Sequence, residues 1–289
     1  MSYALKVQEE DFLKELSLSD EETIESVTYA MLEQPQSEAG TVHKFGPGIY
    51  MRELHAKAGT FAIGKYHKHP HMNIVLQGSC VYYTSEGERR EVKAPTSMVT
   101  PAGRKIAIFT EDTVWINVYA TDEKDVETIE KELFVESEAL MDREAEMQSH
   151  YEAVVELERE DFLDACTYLG LTPEQVSEAS QSTLDLIPFP DGSYSVAVKD
   201  SIIHGKGLFA TNPIKKGDFI APGRINGCRT PAGRYTNHSA VPNAEFIMSP
   251  NGDVALYATE DIGGNVGGLM GDEILVNYVD AFINTRVEQ

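Results

Sequence analysis

A chain of 289 residues has room for about two domains, and its 42% of hydrophobic residues is enough for real cores. Its 47 acidic against 24 basic side chains give a formal net charge of −23. That excludes nucleic acid as a partner, because such binding needs a basic footprint. No stretch is long and apolar enough for a transmembrane helix. The N-terminus, Met1-Ser2-Tyr3-Ala4-Leu5-Lys6, lacks the apolar core of a signal peptide. Three distant cysteines, Cys80, Cys166 and Cys228, suit free thiols in a reducing cytoplasmic setting better than a disulfide frame.

Residues 1–40 read as a helical segment. Phe12, Leu13, Leu16 and Leu18 are its apolar positions, Ser19 or Asp20 caps a second piece through Ile24, Val27 and Met31, and Gln34-Pro35 breaks it. Over 41–121 the signal changes to short β-runs such as Ile74-Val75-Leu76 and Val114-Trp115-Ile116, separated by turns at Gln77-Gly78-Ser79 and Pro101-Ala102-Gly103. Strands at that spacing predict a sandwich or barrel. Residues 122–187 read as an acidic helical connector. Residues 122–164 alone hold 17 acidic and 4 basic side chains. Gly170 stops one helix there and Thr172-Pro173-Glu174 starts another. That charge either attracts a basic protein substrate or keeps a solvated helix face soluble. Residues 188–289 carry 11 acidic and 8 basic side chains and form the last domain.

Two sets of residues name a chemistry. The first is His67-Lys68-His69-Pro70-His71 followed by Val75-Leu76-Gln77-Gly78, with Pro101-Ala102-Gly103 further on. This set resembles the two motifs of the cupin family and implies a cupin-like β-barrel. On a strand, His67, His69 and His71 would share one face, and neutral imidazoles are ligands for zinc, iron or nickel. The match departs at the family's ligand positions. No glutamate follows the histidines, and Ile106 stands where the second motif has a histidine. No metal is therefore expected, and the barrel serves packing or homo-oligomer formation.

The second set is His204-Gly205-Lys206-Gly207-Leu208-Phe209, Arg234-Tyr235-Thr236-Asn237-His238-Ser239 with Pro242-Asn243, and Gly271-Asp272-Glu273-Ile274-Leu275-Val276-Asn277-Tyr278. In this order it resembles the SET domain of protein-lysine methyltransferases. The resemblance implies a β-fold in which the last segment loops around the Asn-His-Ser segment as a pseudoknot. It implies S-adenosylmethionine as cofactor, held at Lys206, Gly207, Leu208, Asn237 and His238, and Tyr278 as the catalytic residue that aligns the amine. Two departures stand out. The sixteen residues Ala221–Thr236 are a short version of the family's substrate-binding insert, and no cysteine-rich segment follows Tyr278. Phe282 is a candidate wall in its place. The glycine-rich run from Gly263 to Gly268 reads as a flexible loop.

The fold expected is mainly β with helical segments: a cupin-like barrel, a helical connector and a SET fold. The function expected is methyl transfer to a lysine-bearing protein substrate, without nucleic acid or membrane. Two rival readings stay open. One is a structural or interaction protein, of a phage particle or another assembly, that keeps both folds. The other is a small-molecule or metal-dependent cupin enzyme.

Overall fold

After Gly40, short runs rich in β-branched and aromatic residues are punctuated by turns at Gly48, Gly59, Gly78 and Gly87, each with positive φ, a pattern that suits strands and hairpins better than helices. The computed structural model describes residues 11–37, 39–150, 152–266, 269 and 271–285. It divides into two units. One holds the residues up to Glu123 with Thr128–Glu144, and the other holds Lys124–Glu127, Ala145–Asn265 and the residues after 270.

The N-terminal unit contains β1 (Gly40–Gly46), β2 (Ile49–Ala56), β3 (Phe61–Ile63), β4 (Tyr66–His67), β5 (His71–Gln77), β6 (Ser79–Thr84), β7 (Arg89–Lys93), β8 (Thr96–Thr100), β9 (Lys105–Phe109) and β10 (Thr113–Ala120). Strands β1-β2-β10-β5-β8 are neighbours in one sheet and β3-β9-β6-β7 in another. The core between them takes Val75 and Trp115 from the first sheet and Tyr82, Ala107 and Phe109 from the second. Trp115 meets Tyr82 edge to face at 5.9 Å. The expected two-sheet β fold is what forms.

The outer face of the second sheet is also apolar, and the N-terminal helices cover it. Helix α1 occupies residues 11–17 and α2 is Glu21–Leu32. Asp20 caps α2 by accepting from Thr23 N at 2.9 Å. Leu13, Leu16 and Ile24 pack on Val81, Tyr83 and Ile106. The segment 1–40 is thus, in its described part, a cover for the sheet. Phe12 and Leu18, read as apolar positions of the helix, are exposed.

The acidic stretch contains α3 (Val126–Leu133), β11 (Phe134–Val135), α4 (Glu138–His150), α5 (Glu152–Leu169) and α6 (Pro173–Gln181). The unit boundary falls inside it, so α4 up to Glu144 groups with the N-terminal unit and α5 and α6 with the C-terminal one. The short strand β11 was not expected. Its Phe134 pairs with His67 of β4. Gly170 ends α5 with φ +68°. Thr172 and Gln175 form a capping box at the start of α6.

The C-terminal unit holds β12 (Gly192–Tyr194), β13 (Val196–Asp200), β14 (Lys206–Ala210), β15 (Phe219–Ile225), β16 (Cys228–Arg229), α7 (Pro231–Tyr235), β17 (Asn237–His238), β18 (Ala244–Met248), β19 (Val254–Ala258), β20 (Glu273–Val276) and α8 (Tyr278–Asn284). One sheet runs β13-β14-β20-β17 and another β16-β15-β19-β18. Strand β20 returns from far along the chain to lie between β14 and β17, antiparallel to the first and parallel to the second. The Asn243 amide pins it. Its Nδ2 donates to Glu273 O and its Oδ1 accepts from Leu275 N, both at 2.8 Å. The glycine-rich run is tied down where it is described: Gly263 N donates to Asp272 Oδ2 at 2.7 Å and Asp272 N to Gly263 O at 3.1 Å. Among the described residues no helix is long and apolar enough to cross a membrane.

Ile106 is 1% exposed between β9 and the helical cover. Ile106→Ala should lower unfolding free energy by about 2–5 kcal/mol, measured by denaturant titration. A loss within about 0.5 kcal/mol, the range of ordinary surface substitutions, would show that the helices do not pack there.

Candidate functional site

The three C-terminal motifs meet at one half-buried carboxylate. Glu273 begins β20 and lies over the start of β14. A Cβ built on Gly207 would come 2.2 Å from Glu273 Oε1, so any larger residue there would displace the carboxylate. Asn237 Nδ2 lies 2.8 Å from the same oxygen. It also lies 3.3 Å from His204 O and 3.3 Å from Lys206 O, so the amide closes the turn onto the carboxylate. Ser201 Oγ stands 2.9 Å from both Glu273 oxygens. Burial raises the Glu273 pKa, and hydrogen bonds from Asn237 and Ser201 oppose this only in part. Lys206 Nζ is ion-paired with Glu127 and with Asp200.

His238 is 3% exposed and its tautomer follows from its partners. Nδ1 lies 3.1 Å from Tyr278 N, which can only donate, so Nδ1 carries the lone pair. The proton is then on Nε2 and is donated to Asp161 Oδ2 at 2.6 Å. Asp161 comes from α5. Tyr278 lies two residues beyond the end of β20. It opens α8, because Asn277 Oδ1 accepts from Val279 N at 2.9 Å and caps a helix there. Burial pushes the Tyr278 phenol up to about 12, so it stays protonated and acts as a donor. Its hydroxyl stands 3.4 Å from Thr236 O. Phe162 of α5 packs edge-on to the Tyr278 ring at 6.2 Å.

These residues surround a pocket of about 900 Å³, within the size range of small-molecule sites. Lys206, Asn237, His238 and Tyr278 line it, as do His204 and Gly205. Gly207 and Leu208 are not among the lining residues. Leu208 is 0% exposed and faces the core, paired with Val198 and Ile274, so its expected cofactor contact is not made by its side chain. Phe282 is exposed and is likewise not part of the wall. The wall is completed by residues read only as helix positions or motif flanks: Arg159, Phe162 and Leu163 of α5, Val176 of α6, and Arg234 and Tyr235 of α7. Arg234 Nε is buried without a hydrogen-bond partner among the described residues.

The histidine run behaves differently from its motif. Pro70 breaks the strand between β4 and β5. His67 and His71 are buried and stack at 3.9 Å, while His69 is exposed in the turn. The expectation that all three share a face therefore fails. Burial and then Lys105 pull His67 down to about 2 and His71 to about 4, so both rings are neutral. His67 Nδ1 meets the Tyr119 hydroxyl at 3.0 Å and His71 Nε2 meets Lys105 Nζ at 3.2 Å. Among the described residues no three His, Cys, Asp or Glu side chains gather. Ile106 points away from the barrel interior into the helical cover. These residues do not fit a metal.

The Glu273 shift has a pH consequence. Its folded pKa is raised, so its stabilising effect is fully present below the unfolded carboxylate value and is lost as pH rises through the folded one. Native protein should lose stability across that window, and Glu273→Gln should flatten the slope, read from melting temperatures across pH. An unchanged slope would show that Glu273 is not the titrating group. Gly207→Ala should destabilise the unit by about 1–3 kcal/mol through the overpacked Glu273 contact, measured by denaturant titration.

No protein-family model matches this chain, and no curated protein does. Solved structures similar to its N-terminal part are cupin-fold proteins. A cupin domain from Bordetella pertussis is 15% identical, over 31% of this chain and 97% of that one, with a TM-score of 0.25. A cupin protein from Bacteroides fragilis is 15% identical over 26% and 68%, with a TM-score of 0.23. Ectoine synthase from P. lautus is 14% identical over 35% and 78%, with a TM-score of 0.28. At such scores the likeness is slight, and the two-sheet fold rests on its own strand pairing.

Proposed function

We propose that the C-terminal unit transfers a methyl group from S-adenosylmethionine to a protein lysine side chain, as the SET-domain family that its motifs resemble does. One observation carries the reading. Residues from three motifs spread over about seventy positions, Lys206 to Tyr278, line a single pocket, and β20 lies between the strands that carry the other two motifs. A second resemblance, of the β unit to cupins, is consistent with a supporting role for that unit.

S-adenosylmethionine supplies an electrophilic methyl group on a positive sulfur. The residues of this chain would do the rest. The carbonyls of His204 and Lys206, fixed by the Asn237 amide, and the backbone of His238 would hold the cofactor. Asn237 itself acts through the turn, since its amide is already spent on Glu273 and those carbonyls. Tyr278 keeps its proton and would orient the incoming amine, with its ring and that of Phe162 giving a cation-tolerant wall. A lysine amine entering such a site loses hydration, and this favours the neutral nucleophile. The acidic run 122–164 would favour a basic protein as substrate.

Tyr278→Phe should bind S-adenosylmethionine as the native chain does and transfer methyl about 10²–10³ times more slowly. The measurement is single-turnover labelling of lysine-rich proteins with isotope-labelled cofactor, with affinity measured in parallel. Equal labelling by both proteins would remove Tyr278 from the mechanism. Cofactor binding without transfer by either would favour a binding or structural role for the fold.

A further inference from the structure

Helix α5 lies outside all three C-terminal motifs, yet two neighbouring residues of it reach the centre of the pocket. Phe162, Ala165, Cys166 and Leu169 follow the spacing of an inward helical stripe, and Ala165 and Cys166 are buried on it. The Phe162 ring stands 6.2 Å from the rings of both His238 and Tyr278, which are themselves 5.0 Å apart. Asp161 flanks the same stripe. Its Oδ2 accepts from His238 Nε2 at 2.6 Å. Asp161 does not line the pocket, so whatever it does there it does through His238.

A neutral imidazole carries one donor and one acceptor, and the bond made by one nitrogen sets the role of the other. Tyr278 N approaches Nδ1 at 3.1 Å and can only donate. A proton on Nδ1 would set two donors against each other. The ring therefore needs an acceptor at Nε2, and at 3% exposure an unmet Nε2–H would carry a desolvation cost. Asp161 supplies that acceptor. The ring is thus held from both sides, by α5 at Nε2 and by the first residue of α8 at Nδ1. A ring that turned or changed tautomer would release Tyr278 N, and the phenol on the same residue would lose its place.

We propose that Asp161 is a positioning residue of the pocket: its carboxylate orients the His238 ring, and the ring in turn fixes the Tyr278 phenol. Its effect on rate rests on the methyl-transfer reading above; its effect on the ring does not. The ring is neutral in this arrangement, so what Asp161 supplies is an acceptor, and an amide oxygen in its place would serve.

The test combines nitrogen NMR of the full chain, grown with isotope-labelled histidine, with single-turnover transfer from S-adenosylmethionine. The His238 signal is assigned by its loss in His238→Gln. Native protein should show a protonated Nε2 and a bare Nδ1, with the Nε2 proton exchanging slowly with solvent. The Asp161 side chain is 37% exposed and alanine suits a helix, so Asp161→Ala should fold. It should lose the slow exchange, mix the two tautomers and transfer methyl about 10–100-fold more slowly, with little change in cofactor affinity. Asp161→Asn should recover the native ring signal and most of the rate. An unchanged ring signal or an unchanged rate in Asp161→Ala would overturn the proposal, as would equal losses in Asp161→Asn and Asp161→Ala. If Asp161→Ala does not fold, the native ring decides: a slowly exchanging Nε2 proton supports the role and a proton on Nδ1 overturns it. Absence of transfer by the native chain counts against the methyl-transfer reading alone, and the ring signals then decide the role of Asp161.

Discussion

The C-terminal unit depends on one half-buried carboxylate in a place where few side chains could stand. Glu273 arrives on a strand that returns to lie between β14 and β17. It sits on Gly207 because that residue has no Cβ, and it takes the amide of Asn237 and the hydroxyl of Ser201 as donors. Remove the carboxylate and the turn at His204–Lys206 loses its anchor, because the amide that spans the turn is oriented by it. The register of β20 places Leu275 opposite Asn237 and Val276 opposite His238. Two residues later Tyr278 starts a helix whose first backbone N–H fixes the His238 tautomer. Position, tautomer and phenol orientation are thus consequences of one strand insertion.

The two units handle buried polarity in opposite ways. In the C-terminal unit Glu273 takes an amide and a hydroxyl as donors with no ion-paired cation among the described residues, and burial raises its pKa. In the barrel Lys105 has an imidazole as its acceptor and, among the described residues, no ion-paired carboxylate, and burial lowers its pKa to about 8. Both are groups of the kind that cluster where ligands bind, since an apolar side chain would fill either place at lower cost in stability. The histidines follow the same logic. His238 is held by a carboxylate on one nitrogen and a backbone donor on the other, while His67 and His71 stack as neutral rings among cations.

Much of this was legible in the sequence, for local reasons. Asp20, Gly170 and Thr172 declare helix ends through the hydrogen bonds and backbone angles they supply, and each acts where its residue type said. The short β-runs and turns over 41–121 predicted a β sandwich or barrel, and two sheets form there. The pocket residues Lys206, Asn237, His238 and Tyr278 were visible as motifs. What stayed hidden is non-local. Phe162 and Asp161 look like ordinary positions of an acidic helix until α5 lies against His238. Leu208 sits inside its motif, yet strand alternation turns it into the core. His69 fails to join its neighbours because Pro70 cannot continue a strand. The pairing of Lys105 with His71 joins β9 to β5 across the barrel, and nothing in either segment announces it.

The central claim is that three distant motifs build one pocket for an adenosyl sulfonium ligand. Hydrogen exchange of the full chain, measured with and without S-adenosylmethionine, tests it most directly. The account predicts slowed exchange in residues 201–208, 235–239 and 276–280 and in α5 around Phe162, with the barrel strands unchanged. No change in these segments at saturating cofactor, or slowing confined to the barrel, would contradict it.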